Sequence, residues 1–267
     1  MRKIFILVFL VAFFNIPVQA GVISGQIHHD DMNYQNKIID SKTKSGLSNA
    51  KITIPELNYT TYSDKDGIFK LNVGVNQKTV LFVEKDGYRT FSLTIDNNVL
   101  SAPLKLGIEQ ASPFDLQITH GIIHLGDNMF SSNSANSSDF KLTAQGHFFS
   151  KIFPMPKYSE KQNVVICIGT LIGLDTKKAK ELGQNHIAKV YASPAEVFVN
   201  GNRISSLELN GDNIEITVPK SILKSTNELV IKAGKNLFQH NYVDYDDIEL
   251  ANVRVEVRNK TIFASKR

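Results

Sequence analysis

The sequence predicts an all-β protein made of two antiparallel β-sandwiches in tandem. Apolar and polar residues alternate over short runs, which is the period of a half-buried strand, and Gly, Asp, Asn and Pro separate the runs at regular spacing. One segment, 175–183, instead has helix signals, because Asp175 or Thr176 can cap its start and Gly183 can end it. We therefore expect one short helical excursion in a chain of strands.

The clearest single element is a hairpin in the second half of the chain. Residues 196–199 alternate, Asn200-Gly201 follows, and another β-like run begins directly after it. A type I′ turn requires positive φ at both central residues, which Asn and Gly tolerate best. Further β-like runs downstream are 214–218, 228–234 and 248–257. Strands at this spacing are typical of a sandwich or a barrel.

The first half of the chain has similar turn chemistry. Two turns, Asp64–Gly67 and Asp86-Gly87, combine aspartates that can bond their own backbone with a glycine that can adopt positive φ. The main β-like runs are 22–27, 51–54, 68–73, 80–85 and 88–95. About seven short strands are expected in all, which predicts a small antiparallel sandwich.

Cys167 is the only cysteine of the chain, so no internal disulfide can form. It lies in the apolar run 163–174, which predicts a buried strand. Neither a polarising histidine nor an exposed position is indicated around it. We therefore interpret Cys167 as a small buried core residue.

Residues 1–20 have the pattern of a signal peptide: Arg2-Lys3, an apolar run over 4–14, and the small-residue site Val18-Gln19-Ala20. An uncleaved anchor is the alternative, although the apolar run is short for a bilayer. We expect no membrane span after signal removal and a secreted, periplasmic or cell-surface protein. Without Arg2 and Lys3 the formal charge falls from +4 to +2, which gives no reason to expect nucleic acid as a partner.

Residues 22–108 resemble a carboxypeptidase regulatory-like domain, which is a transthyretin-like sandwich. The resemblance lies in ISGQI, GLSNAKITI, TYSDKDGIFKLNV and VLFVEKDGYRT. It implies a first domain over residues 21–110 with a scaffold or adhesion role and no catalysis of its own.

Residues 113–258 resemble a galactose-binding-like, jelly-roll carbohydrate-binding module. The matching segments are IHLGDNMFSSNSANSSDF, VFVNGNRISSLELNG, ITVPKSILKSTNELVIKAG and DYDDIELANVRVEV. The resemblance implies a second, jelly-roll-like domain over residues 111–267. It specifies the fold better than it specifies a ligand.

Acidic side chains suggest a calcium site in this second domain. Asp127 and the acidic group at 244–249 supply hard oxygen donors of the kind that calcium prefers. The resemblance implies Asp127, Asp247 and Glu249 as ligands of a structural Ca²⁺ that joins the first and last strands. In the alternative, Asp246 and Asp247 cap a turn and bond backbone amides.

A sugar site needs an aromatic ring that stacks on the apolar face of the sugar, beside fixed polar groups. Tyr158, Tyr191, Tyr242 and Tyr245 lie near predicted loops, and His240, Asn241 and Arg203 are candidate polar partners; the chain has no tryptophan. From these we select four residues as ligand-binding candidates: Tyr245, Tyr242, Asn241 and Arg203.

No Gly-x-Ser-x-Gly elbow, Gly-rich phosphate loop or dinucleotide fingerprint occurs in the sequence. We therefore expect a non-catalytic binding protein whose partner is a glycan or a surface protein. The leading hypothesis is glycan recognition through loops of the second sandwich. The alternative is a structural or adhesion protein whose sandwich edges pair with other proteins, and a hydrolase with an unrecognised site is a weaker third option.

Overall fold

A computed structural model describes residues 35–130, 134, 140–155, 157–185, 191–238 and 241–260. These residues belong to one compact unit, Tyr34–Arg267. The predicted signal peptide, the predicted strand 22–27 and His240 lie outside the described residues. Within those residues, no helix is long and apolar enough to cross a membrane.

The first half of the described chain contains seven strands in two sheets. The strands are β1 (Asn36–Asp40), β2 (Lys51–Ile54), β3 (Tyr59–Tyr62), β4 (Ile68–Phe69), β5 (Thr79–Glu84), β6 (Phe91–Ile95) and β7 (Lys105–Ile108). One sheet has the order β4-β1-β7 and the other the order β3-β2-β5-β6. Their inner faces enclose an apolar core that includes Ile38, Ile52 and Leu81.

The predicted turn Asp64–Gly67 shows why the sequence folds this way locally. The Asp64 carboxylate accepts hydrogen bonds from the backbone N–H groups of Asp66 and Ile68. Gly67 has φ +81°, and a Cβ atom there would lie 2.3 Å from the carbonyl oxygen of Ile38. The turn therefore requires glycine both for its conformation and for the close approach of strand β1.

The second half contains nine described strands and one helix. They are β8 (Leu116–Gln117), β9 (Ile122–Leu125), β10 (Phe148–Pro154), β11 (Gln162–Ile172), α1 (Lys177–Glu181), β12 (Ala195–Val199), β13 (Asn202–Leu207), β14 (Gly211–Val218), β15 (Thr226–Lys232) and β16 (Ile248–Asn259). One sheet has the order β10-β15-β12-β13, and the other the order β14-β11-β16-β8, with β9 also paired to β16. The core between them includes Ile166, Val197 and Val255.

The predicted all-β sandwich fold is confirmed, and every described strand pair is antiparallel except β1 with β7. Asn200 and Gly201 have φ of 51° and 79°, as a type I′ hairpin turn requires. Helix α1 is capped by the Thr176 hydroxyl, which accepts a hydrogen bond from the Ala179 N–H. The division into domains 21–110 and 111–267 stays a prediction.

The last strand differs from its sequence pattern in one respect. Alternation in 248–257 is typical of a strand with one exposed polar face, yet β16 is buried on both faces as far as Val257. Its polar face is covered by the first half of the chain, because Asn252 donates to the Thr90 carbonyl at 2.8 Å and Arg89 approaches Glu256 at 3.4 Å. The polar residues of β16 therefore form an internal interface.

An apolar patch accompanies these polar contacts between the two halves. Val80 and Phe82 on β5 pack with Ile172 on β11 and Ala251 on β16. Leu81 and Val83, the alternate residues of β5, face the first core instead. Strand β5 is thus apolar on both faces because each face packs against protein.

Candidate functional site

A cleft of about 560 Å³ lies on the sheet β10-β15-β12-β13. Side chains alternate in direction along β12, so that Val197 and Val199 point into the core while Glu196 points away from it and lines the cleft. Glu196 pairs across the sheet with Lys232 on one side and Ser206 on the other. The cleft therefore occupies the face of this sheet opposite the core.

Two aromatic rings, those of His147 and Tyr245, line the cleft, and a third, Phe148, contacts His147 beside it. The ring of His147 stacks on Tyr245, with ring centroids 4.3 Å apart and an interplanar angle of 16°. His147 also makes an edge-to-face contact with Phe148, with ring centroids 5.2 Å apart. The side chain of Phe148 is 48% exposed. We call Phe148, His147 and Tyr245 the aromatic row. Because His147 covers one face of Tyr245, the ring of Phe148 is the most open of the three.

Basic side chains line the same cleft. Arg203 Nη1 lies 2.9 Å from Glu196 Oε1. Lys232 Nζ lies 4.7 Å from the ring centroid of Phe198, and Lys235 Nζ lies 5.4 Å from that of Tyr245. Neither lysine forms an ion pair with a carboxylate in the described part of the chain. The cleft thus combines aromatic surface with uncompensated positive charge.

The structure brings together two of the four predicted ligand-binding residues. Tyr245 and Arg203 both line the cleft, whereas Asn241 and Tyr242 are exposed and lie outside its lining. Sequence reasoning missed His147, Lys232 and Lys235. The sequence does indicate that Lys232 is exposed, since it occupies a polar position of an alternating strand. Its pairing with Glu196 could not be predicted, because it depends on the register between β12 and β15.

Asp127, a predicted calcium ligand, is hydrogen-bonded to the backbone of Tyr245, which lines this cleft. Its carboxylate accepts hydrogen bonds from the backbone N–H groups of Met129 at 3.1 Å and Tyr245 at 2.8 Å. Burial raises the pKa of Asp127, and the charges of Asp247 and Asp244 add to that effect, although the two backbone hydrogen bonds oppose it. Asp127 therefore fixes the backbone of Tyr245 beside the aromatic row.

Asp247 and Glu249 both lie beside the buried side chain of His124. Asp247 Oδ1 lies 2.8 Å from His124 Nε2 and accepts a hydrogen bond from the Asn128 N–H at 3.0 Å. Glu249 Oε1 lies 3.7 Å from His124 Nδ1. Burial, followed by the neighbouring Glu56, raises the pKa of Glu249 to about 8. The raised pKa reflects the burial of Glu249 beside a second carboxyl group.

The predicted calcium ligands do not form a ready-made metal site. No group of three or more His, Cys, Asp or Glu residues in the described ranges is placed to hold a metal ion. Both oxygens of Asp127 and Oδ1 of Asp247 bond backbone amides, and Asp246 Oδ2 accepts from the Asp175 N–H at 3.0 Å, whereas Asp247 Oδ2 and Asp246 Oδ1 are buried without a hydrogen-bond partner among the described residues. These bonds correspond to the alternative in which the carboxylates stabilise turns, and a structural calcium stays a prediction.

Calcium binding has a direct test in thermal unfolding. A bound ion stabilises the folded state by mass action, so Ca²⁺ at millimolar concentration would raise the melting temperature and EDTA would lower it. The Asp127→Asn variant should lose this response, whereas Asp66→Asn, on an exposed turn of the first half, should keep it. Equal melting temperatures with Ca²⁺ and EDTA would show that the carboxylates act only as hydrogen-bond acceptors.

No protein-family model matches the chain, and no curated protein matches it. The fold defines an all-β sandwich protein, and the cleft is the feature from which its function can be argued.

Proposed function

We propose that this chain is a non-catalytic glycan-binding protein, secreted, periplasmic or displayed at the cell surface, and that the cleft is its binding site. The observation that carries the proposal is the aromatic row beside polar and charged side chains. Sugar rings have an apolar face that stacks on aromatic rings and hydroxyl groups that need fixed polar partners. The resemblance of residues 113–258 to a galactose-binding-like module supports the same function, and the leader-like residues 1–20 support the location.

In this proposal the lining residues and the neighbouring Phe148 have different tasks. The edge of His147 in the lining, and the exposed ring of Phe148 beside it, supply apolar contact with a sugar ring. The hydroxyl of Ser206 and the guanidinium of Arg203 supply hydrogen bonds to sugar hydroxyls. Tyr245 supports His147 by stacking, and its own backbone is held by Asp127. The rings are thus ordered before a ligand arrives, which lowers the entropy cost of binding.

The arrangement of carboxylates favours binding over hydrolysis. Glycoside hydrolysis generally uses two carboxyl groups on either side of the scissile bond. Among the described residues that line the cleft, Glu196 is the one carboxylate, and it pairs with Arg203. The cleft can therefore hold a sugar without the acid and base that would cleave it.

Affinity electrophoresis against a panel of polysaccharides tests the proposal. At least one polysaccharide should retard the wild type, and Phe148→Ala should weaken its binding about tenfold, because one stacking ring is lost. Tyr245→Ala should weaken binding further, since it also removes the support of His147. Tyr62→Ala removes an equally exposed ring from the first half and should change nothing. Equal retardation of all four proteins would contradict the assignment of the site.

A protein partner is the second candidate, and one specific observation favours it. Strand β10 pairs with β15 alone among the described strands, and its Ile152 is 68% exposed. An edge strand with exposed apolar side chains can accept a strand from another protein. A defined partner that co-purifies with the wild type but not with Ile152→Lys, without retardation by any glycan, would favour this function.

A further inference from the structure

We infer that the glycan bound in the cleft is acidic, and that Lys232 and Lys235 bind its carboxylate or sulfate groups. The inference rests on the proposed function of the same cleft and adds the chemical class of the ligand. Within the part of the chain that the structure describes, the ammonium groups of Lys232 and Lys235 form no ion pair with a carboxylate.

The charges around the cleft do not balance. Among the described residues of its lining, three side chains are cationic, namely Arg203, Lys232 and Lys235, against the single carboxylate of Glu196. Arg203 and Glu196 lie 2.9 Å apart and largely neutralise each other. The two lysines then leave a net positive charge on a face that also carries the aromatic row. A negative group on the ligand would complete this arrangement.

Each lysine is held in place without being neutralised. Lys232 Nζ lies over the ring of Phe198 and Lys235 Nζ lies over that of Tyr245. A cation–π contact orients an ammonium group but leaves its positive charge available to an anion. Both ammonium groups are therefore positioned for a ligand in the cleft.

The backbone beneath Lys235 is fixed as well. The Lys235 N–H donates to Ser193 Oγ at 3.0 Å, and the Ser193 N–H donates to the Lys235 carbonyl at 2.8 Å. Gly234 allows this approach, since a Cβ atom there would lie 1.9 Å from the Ser193 carbonyl oxygen. The Lys235 side chain thus starts from a rigid base, as expected for a residue that selects a ligand.

The nearby acidic side chains do not cancel this charge at the surface. Asp244 is buried and accepts a hydrogen bond from the Asn236 side chain at 2.6 Å. Both oxygens of Asp127 accept backbone N–H groups. Each carboxylate thus bonds donors of the protein, and neither lines the cleft that Lys232 and Lys235 face.

A neutral sugar offers the two exposed ammonium groups hydroxyl acceptors but no counter-charge, and charge-assisted hydrogen bonds are about twice as strong as neutral ones. A uronic acid offers a carboxylate on its ring, and a sulfated sugar offers an ester sulfate, so either chemistry can pair with a lysine. Attraction of this kind weakens as salt screens exposed charges. We therefore expect selective and salt-sensitive binding of acidic glycans.

Matched pairs of polysaccharides test the inference by affinity electrophoresis and titration calorimetry. Polygalacturonate is compared with its carboxyl-reduced, neutral counterpart, and dextran sulfate with neutral dextran; the pair with the larger difference identifies carboxylate or sulfate as the recognised group. The acidic member should bind at least tenfold more tightly, and 0.5 M NaCl should remove most of the difference. Lys232→Gln and Lys235→Gln should each weaken acidic binding about tenfold, and the matched control Lys65→Gln, on an exposed turn of the first half, should not.

The outcomes separate this inference from the proposed function. Equal binding of acidic and neutral members, lost in Phe148→Ala, would overturn the acidic ligand and leave glycan binding in place. Binding of no polysaccharide would overturn both. Equal binding of polyglutamate and the acidic glycans, unaffected by Phe148→Ala, would show a general attraction for polyanions and would also overturn the inference.

Discussion

Replacing Glu256 with glutamine should lower the free energy of unfolding by about 3 to 5 kcal/mol, as expected when one partner of a buried ion network is removed. The Glu256 side chain is fully buried on β16. It accepts hydrogen bonds from Arg254 and Arg258, and Arg89 from the first half lies 3.4 Å away. Glutamine keeps the shape of the side chain but leaves three guanidinium groups without their shared counter-charge.

The same variant should change the dependence of stability on pH. Burial alone would raise the pKa of Glu256, but the Arg258 hydrogen bond and the charges of Arg254 and Arg89 outweigh it and lower the pKa. A lowered pKa means that the charged form stabilises the fold above the ordinary glutamate range, and that this contribution is lost as the pH falls through the lowered value. The unfolding curves of wild type and variant should therefore converge in acid.

Glu160→Gln is the matched control for Glu256→Gln. Glu160 also pairs with a cation, Lys220 at 3.4 Å, but its side chain is 95% exposed. Exposed pairs contribute about 0 to 1 kcal/mol, so urea denaturation should show almost no change. A similarly small change for Glu256→Gln would mean that water reaches the buried network and replaces the lost charge.

The second large effect is expected for Gly169→Ala, with a loss of about 1 to 3 kcal/mol from overpacking. A Cβ atom at Gly169 would lie 2.3 Å from Ser92 Oγ and 2.6 Å from Asn252 Nδ2. Asn252 has φ +57° and hydrogen-bonds the Thr90 carbonyl, so its side chain cannot simply rotate away. The added methyl group would push Ser92 of the first half away from Thr170 and Asn252 of the second half, to which it is hydrogen-bonded.

Gly211→Ala provides the control for this prediction. Gly211 is also a strand glycine, but nothing lies within 4 Å of a Cβ atom added there. Alanine should be neutral or slightly stabilising at this position, because it restricts the unfolded chain. If the two variants unfold at the same urea concentration, the contact between Gly169 and Ser92 is looser than the structure shows.

Local features of the fold could be predicted because the residues that determine them are adjacent in sequence. Asn200-Gly201 fixes its own turn, and Thr176 caps α1 from within the same segment. The burial of β16 could not be predicted in this way, since its polar residues bond Arg89 and Thr90, far away in the chain. The continuous apolar run of β5 was the usable signal, because a strand that is apolar on both faces indicates protein on both sides.

The candidate site was predictable only in part, for the same reason. Tyr245 and Arg203 could be selected for their chemistry and their place near loops. His147 and Lys232 matter through their neighbours, namely the ring of Tyr245 and the cross-strand partner Glu196. Those neighbours follow from strand register and sheet order, which pair residues far apart in the chain. The hydrogen bond from the Tyr245 backbone to Asp127 likewise depends on the fold, and the role of Asp127 in calcium binding stays a prediction.

The apolar patch formed by Val80, Phe82, Ile172 and Ala251 has a practical meaning for laboratory work. Division of the chain near residue 110 would expose Val80 and Phe82 on one fragment. It would expose Glu256 and the arginines paired with it on the other. Exposed apolar patches of this kind promote the aggregation of truncated proteins. Precipitation of the fragments would therefore show that the contact between the two halves stabilises the protein. Binding assays are best run on the full-length chain.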